Sequence, residues 1–146
     1  MKLFDVNVLV NAYRSDADHH EPCRAAVEDA ISKPAAFALA PIVLSGFLRV
    51  VTHRRVFKTP TSLIDAIEFV EVLQAMPQAV TIRPGPRHWD IFTALCLEAR
   101  ARGDLIPDAY LAAIAIEAGC EFVTTDRDFA RFPGLSWTDP VSSTVL

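Results

Sequence analysis

Residues 2–10 read KLFDVNVLV, an aspartate and an asparagine set into a run otherwise apolar enough for the middle of a core. An unpartnered buried carboxylate is costly, and the usual escape is to neutralise or to find a cation. Asp5 and Asn7 must therefore stand where something makes them tolerable. Asp and Asn are good helix-starting residues, so the stretch reads as a short buried strand over 2–6 running straight into a helix over 7–14. A carboxylate at such a junction carries meaning, because ligands of parallel α/β sheets bind in the crevice beyond the carboxyl ends of the strands.

The same alternation continues outward. Residues 20–32 carry Cys23, Val27, Ala30 and Ile31 at helical spacing, closed by Lys33-Pro34, and 36–40 reads as a second strand. Pro41 suits a first helical turn, and the apolar residues after it predict a mostly buried helix to about His53. Thr61 or Ser62 caps an amphipathic helix with the face Leu63, Ile64, Ile67, Val70 and Leu73, closing before Pro77. Residues 79–82 form a third strand candidate, and Pro84-Gly85-Pro86 marks a turn. Trp89, Phe92, Cys96 and Ala99 predict a helix over 86–102, stopped by Gly103. Pro107-Asp108 leads into 109–118, apolar on nearly every side, which Gly119 ends. Residues 122–124 give a buried strand, Thr125 to Phe129 open a short helix, 135–137 a last strand, and the tail beyond is expected to be loose. Short strands alternating with helices predict a three-layer α/β/α sandwich, Rossmann-like, with a mainly parallel sheet. The 146 residues fit one domain, 1–146.

Composition narrows the function classes. Hydrophobic residues are 51% and charged ones 22%, too apolar for a disordered chain. No apolar run approaches the ~18 residues a membrane span needs, and the N-terminus lacks a secretory signal pattern, so a soluble, cytoplasmic protein without membrane contact is expected. Cys23, Cys96 and Cys120 are odd in number and share no CxxC spacing, which argues against a disulfide framework or a zinc site. The formal charge of −4 does not advertise nucleic-acid binding, so any such role needs local positive patches.

Asp5 ends the first strand, Asp126 and Asp128 follow the fourth, and Asp108 begins the buried helix leading into it. Each also lies near a helix start, where capping alone explains an aspartate. At an effective dielectric of about 20, two carboxylates ~4 Å apart repel by ~4 kcal/mol, more than the ~1 kcal/mol a cap contributes. Capping alone would not cluster them. A divalent cation reverses the sign, and an open set of carboxylates suits Mg²⁺ or Mn²⁺ better than zinc. Such an ion lowers the pKa of bound water and stabilises charge on a phosphodiester under attack, so metal-assisted phosphodiester hydrolysis is the reaction class inferred.

The order Asp5-Val6-Asn7, then Ile106-Pro107-Asp108-Ala109-Tyr110-Leu111-Ala112-Ala113, then Thr124-Thr125-Asp126-Arg127-Asp128-Phe129 with Phe132-Pro133-Gly134-Leu135, resembles the PIN-domain family, especially the VapC toxins of bacterial toxin–antitoxin pairs. The resemblance spans nearly the whole chain. It implies a Mg²⁺- or Mn²⁺-dependent endoribonuclease, inhibited by a VapB-like antitoxin whose tail reaches into the active site. Asp5, Asp108 and Asp126 match the family's acidic ligands, Asp128 matches a further polar position near the metal, and Asn7 resembles a residue that holds Asp5 in place. One departure is Gly46: the family commonly carries glutamate there, in a pattern like SEFLR, and this chain has Ser45-Gly46-Phe47-Leu48-Arg49. Asp104, four residues before Asp108, is a candidate replacement if the helix begins early enough; Gly103 and Pro107 argue for a loop and a solvated aspartate instead.

Arg49, His53, Arg54, Arg55 and Lys58 are the densest positive cluster, a candidate approach for RNA, with a solvated helix end as the alternative. Arg127 and Arg131 lie nearer the carboxylates in sequence, with pairing to Asp128 or Glu121 as the plain alternative. His19, His20 and His88 show no metal-ligand spacing and are expected at the surface. Trp89, Phe92 and Trp137 are expected to pack in the core rather than stack on bases. Two other function classes remain: an RNA- or partner-binding module whose metal site Gly46 has broken, and an aspartyl-phosphate enzyme or receiver, which Asn7 and the lack of lysine after Lys58 disfavour. The long apolar stretches at 42–51 and 63–73 suggest a homodimer.

Overall fold

The structure, a computed structural model, describes residues 1–144. Its strands are β1 Lys2–Phe4, β2 Phe37–Leu39, β3 Ala79–Thr81, β4 Glu121–Val123 and β5 Trp137–Thr138, forming one fully parallel sheet in the order β3-β2-β1-β4-β5. The connecting helices are α1 Val6–Tyr13, α2 His20–Ser32, α3 Pro41–Val51, α4 Leu63–Gln74, α5 His88–Glu98 and α6 Leu105–Ala118. This is the three-layer α/β/α sandwich that the alternation predicts. Leu3, Phe4, Phe37, Ala38, Leu39, Phe122 and Val123 are all buried, as strands covered on both faces must be. The chain steps outward from β1 to β2 and β3, then returns to β4 on the other side of β1. The crevice at that reversal, beyond the ends of β1 and β4, is where such sheets bind ligands.

Most helix ends fall within two or three residues of the expected ones, and Gly119 closes α6 in the left-handed region at φ 66°. Helix α5 differs. It ends at Glu98, before Gly103, because Arg100 takes the left-handed conformation at φ 50° and Ala101 N–H bonds back to the Cys96 carbonyl at 2.8 Å. That is a Schellman closure made without glycine.

Helix α4 corrects the predicted apolar face. Ser62 caps it, its Oγ accepting from Asp65 N–H at 3.1 Å, but the buried stripe is Ala66, Val70 and Leu73. Leu63, Ile64 and Ile67 are 58%, 79% and 38% exposed, because the small Ala66, not the larger residues beside it, is turned to the core. The tail is also more ordered than expected. The Asp139 carboxylate accepts from Val141 N–H and Ser142 Oγ, seating a 3₁₀ turn at Ser142–Thr144; the expectation for residues 145–146 lies outside the described residues.

His88 is not at the surface. It is buried against Phe92 and Tyr110, with Nε2 at 3.0 Å from the Tyr110 carbonyl, and His20 is half-buried with Nδ1 2.9 Å from the Asn11 carbonyl. Phe92 packs in the core as expected, Trp137 is half-buried on β5, and Trp89 is largely exposed. The three cysteines are free, Cys23 and Cys120 buried and Cys96 partly so. Among the described residues no helix is long and apolar enough to cross a membrane.

Candidate active site

Asp5 follows β1 and its N–H still pairs with the Val123 carbonyl at 2.9 Å, extending the ladder to β4 by one residue. The side chain is only 5% exposed. Hydrogen bonds make it tolerable. Oδ1 accepts from Val6 N–H at 2.7 Å, and Oδ2 accepts from Thr124 Oγ1 at 2.7 Å and Asn7 Nδ2 at 2.9 Å. Burial pushes the Asp5 carboxyl above its ordinary pKa, these donors oppose that, and the nearby Asp126 charge adds to the rise.

Thr124 is the residue the sequence reading missed. It is fully buried directly after β4, and its hydroxyl spends its single proton on Asp5 while accepting from Asp126 N–H at 3.0 Å and Asn7 Nδ2 at 3.2 Å. One hydroxyl thus ties the loop after β1 to the loop after β4. Asn7 doubles the tie, its Oδ1 accepting from Thr125 N–H at 3.2 Å. The available signal was position: a hydroxyl at a buried strand's end, two residues before an acid. Asp126 Oδ1 accepts from Asp128 N–H at 2.9 Å and so opens the 3₁₀ turn Arg127–Arg131. Asp5 and Asp126 therefore both cap and reach the crevice; the two readings of these aspartates are compatible.

Asp108 sits in the first turn of α6, where the Pro107 ring is harmless because the first turn leaves its N–H groups without helical partners. Asp5, Asp108 and Asp126 line one open cavity of about 980 Å³, with Asn7 beside them. Burial, then the charges of Asp126, Asp5, Asp128 and Asp104, push the Asp108 carboxyl up to about 6. All four of these charges are negative. Asp104 occupies the residue before α6 with helical backbone angles and makes no capping bond; it is exposed and lines the same cavity. Asp128 is exposed and lies outside the cavity lining.

A PIN domain family model matches residues 2–135. The chain belongs to the PIN domain family. It is 44% identical over 140 residues to Ribonuclease VapC25 of Mycobacterium tuberculosis, covering 96% of this chain and 99% of that one. It is 45% identical over 141 residues to VapC ribonuclease Mb2897 of Mycobacterium bovis, covering 97% and 96%. In fold it is similar to a chain of the VapBC2 complex from Rickettsia felis bound to a promoter DNA fragment, with a TM-score of 0.70 at 18% identity over 94% of this chain and 97% of that one.

Within this PIN domain Gly46 also lines the cavity, and a Cβ built there would meet Val6 Cγ2 at 2.7 Å. Val6 fills the space that a side chain at 46 would use. Of the basic cluster, Arg49 and Lys58 line the cavity together with His19, whereas Arg54 and Arg55 lie exposed in the turn after α3, outside the lining. Arg127 reaches Ser142 Oγ and Arg131 the Ala99 carbonyl, each at 3.4 Å, rather than the acids proposed for them.

Among the described residues no group of three or more Asp, Glu, His or Cys side chains is placed so that it could hold a metal ion as it stands. The donor set nonetheless suits a hard divalent cation: carboxylate oxygens at an open cavity, under a field of their own negative charges. Mg²⁺ binds through one or two carboxylates and keeps several waters, so it needs no closed cage.

Proposed function

We propose that this PIN domain is a cytoplasmic VapC-like endoribonuclease toxin that hydrolyses RNA phosphodiester bonds with Mg²⁺, or Mn²⁺ in its place, and is neutralised by a cognate VapB-like antitoxin. The observation that carries this is the convergence of Asp5, Asp108 and Asp126, from three distant stretches of chain, on one cavity, where the charge of Asp126 raises the proton affinity of Asp5 and the charges of Asp126 and Asp5 raise that of Asp108. Repulsion of that kind is not retained for capping alone. The mycobacterial relatives named as ribonucleases support the activity, and the VapBC complex supports an antitoxin partner.

Each residue has a part. Asp5, Asp108 and Asp126 would hold the ion, with Asp104 available to bind one of its waters. Bound there, Mg²⁺ supplies a more acidic water and charge neutralisation at the phosphodiester. Thr124, Asn7 and Val6 N–H fix the Asp5 carboxylate so that little reorganisation is needed when the ion arrives. Arg49 and Lys58 draw the polyanion into a cavity whose acids alone would repel it. A homodimer would cover the exposed Leu63, Ile64 and Ile67 of α4. The binding-only alternative rested on Gly46, and the carboxylate convergence does not involve that position.

Purified protein incubated with RNA and Mg²⁺ or Mn²⁺ tests the reading. Cleavage is expected, stopped by EDTA and absent in Asp5→Asn; cleavage indifferent to both would defeat it.

A further inference from the structure

Arg14 stands just past α1 and its side chain is 13% exposed. Nε and Nη2 form a forked pair with Asp16 Oδ1 and Oδ2 at 2.8 and 2.6 Å. Nη1 donates to Thr61 Oγ1 at 3.0 Å, and the guanidinium carbon lies 4.2 Å from the centroid of the Phe57 ring. One planar group is thus fixed by a carboxylate fork, a hydroxyl and a ring face, a combination lysine cannot reproduce.

Its partners belong to two separate segments that build the cavity. The loop after α1 contributes Asp16, Ala17, Asp18 and His19, and the segment after α3 contributes Val56, Phe57 and Lys58. Thr61 N–H in turn bonds the Val51 carbonyl at 2.8 Å, anchoring that segment to the end of α3, close to Arg49. Thr61 is therefore no helix cap: Ser62 has that place, which leaves the Thr61 hydroxyl for Arg14. Arg14 itself is absent from the cavity lining.

The charges make the pairing consequential. Asp16 and Asp18 both line the path by which a polyanion would approach, and both would repel it. The guanidinium beside Asp16 holds its carboxyl below the usual carboxylate range, so that acid stays ionised and matched. An exposed ion pair is by itself worth little to stability, so the expected consequence lies in groove shape and charge rather than in folding.

We propose that Arg14 is a positioning residue for RNA, clasping the loop after α1 to the segment after α3 so that Lys58 and Arg49 share one groove with the carboxylates while the charge of Asp16 is cancelled. The ligand class is the phosphate backbone of an RNA strand, and the proposal rests on the ribonuclease reading. Removing the clasp weakens RNA capture without touching the reacting atoms.

The test compares Arg14→Ala, Arg14→Lys and Thr61→Val with the parent protein. Binding of a fluorescent single-stranded oligoribonucleotide is followed by anisotropy in an Asp5→Asn background, KM and kcat are measured with the carboxylates intact, and amide hydrogen exchange is read over residues 15–19 and 52–61. Arg14→Ala and Arg14→Lys are expected to weaken binding and raise KM by about tenfold, equivalent to 1.4 kcal/mol, with kcat changing far less and exchange quickening in both segments. Thr61→Val, which deletes one of the three restraints, is expected to shift all readouts the same way by less, and serves if an Arg14 variant fails to fold. Unchanged KM and binding, or a fall in kcat alone, overturns the proposal. A parent protein that neither cleaves nor binds RNA removes the ribonuclease reading instead, and unaltered exchange in both segments then removes the clasp as well.

Discussion

The Thr124 hydroxyl donates to Asp5 Oδ2 at 2.7 Å across 119 positions of sequence, wholly inside the protein. Without it a buried carboxylate loses a donor that burial makes expensive to lose, so Thr124→Val should destabilise the fold by about 1–3 kcal/mol, as for other buried groups left unsatisfied. It should also weaken Mn²⁺ binding by about 10–100-fold, the usual cost of removing a residue that supports a ligand. Thr124→Ser keeps the hydroxyl and should recover most of both. Urea unfolding and calorimetric titration with Mn²⁺ check the pair; a valine variant as stable and as metal-avid as the parent would show the bond to be incidental.

Asp5→Asn should cut RNA cleavage by more than about 100-fold, because losing a proposed ligand costs more than losing the residue that supports one. The fold should survive: the asparagine side-chain oxygen can still accept from Val6 N–H, and the substitution removes a buried charge whose pKa burial and Asp126 both raise. Asp108→Asn should act alike on activity. Gel assays beside circular dichroism separate lost chemistry from lost structure.

The metal-free protein should gain stability as pH falls through about 6. Asp108 has a folded pKa of about 6 against an ordinary 3.8, raised first by burial and then by the surrounding acids. A raised carboxyl binds its proton more tightly folded than unfolded, so its contribution is complete below the unfolded value and is lost as pH rises through the folded one. Thermal melts between pH 5 and 7.5 in EDTA should therefore show a higher Tm at the acid end. Asp108→Asn should flatten that slope, and saturating Mg²⁺ should flatten it too by stabilising the ionised form. A Tm that falls on acidification in EDTA speaks against the crowding of acids at this cavity.

How much of this was legible beforehand follows from what each feature depends on. That Asp5, Asp108 and Asp126 line one cavity was readable because strand ends in a parallel sheet share one edge with the start of the helix leading into β4, and the strands are marked by apolar residues such as Leu3, Phe4, Phe122 and Val123. Thr124 was not, since threonine suits a strand by propensity and its bond to Asp5 exists only once β4 lies beside β1. Arg14 was hidden for the same reason: Asp16 is a neighbour in sequence, but Thr61 and Phe57 are not. On α4, periodicity alone ranks Leu63, Ile64 and Ile67 as core, and only the packing of Ala66 reverses that order. Arg54 and Arg55 show the converse limit, a charge cluster continuous in sequence that the turn after α3 divides between cavity and solvent.

If a homodimer covers the exposed part of α4, a charge placed at its centre should break it. Ile64 is 79% exposed beside Leu63, so Ile64→Glu removes apolar surface without disturbing the core stripe Ala66, Val70 and Leu73. Light scattering should report a dimer for the parent and a monomer for the variant at the same concentration. A parent that is already monomeric overturns the homodimer.

Gly46 is the sharpest case of a position set by its neighbour. A Cβ there would lie 2.7 Å from Val6 Cγ2, and the branched Val6 is held at the first position of α1, where its χ1 has little freedom to yield. Gly46→Ala should therefore cost about 1–3 kcal/mol through overpacking, offset in part by alanine's better helix propensity. Val6→Ala opens the space, so the double variant Gly46→Ala, Val6→Ala should lose less stability than the two single changes together. The cycle's coupling energy, from denaturant unfolding of all four proteins, measures the clash directly. Additive effects would mean that the backbone of α3 yields instead and that Val6 does not set the residue at this position.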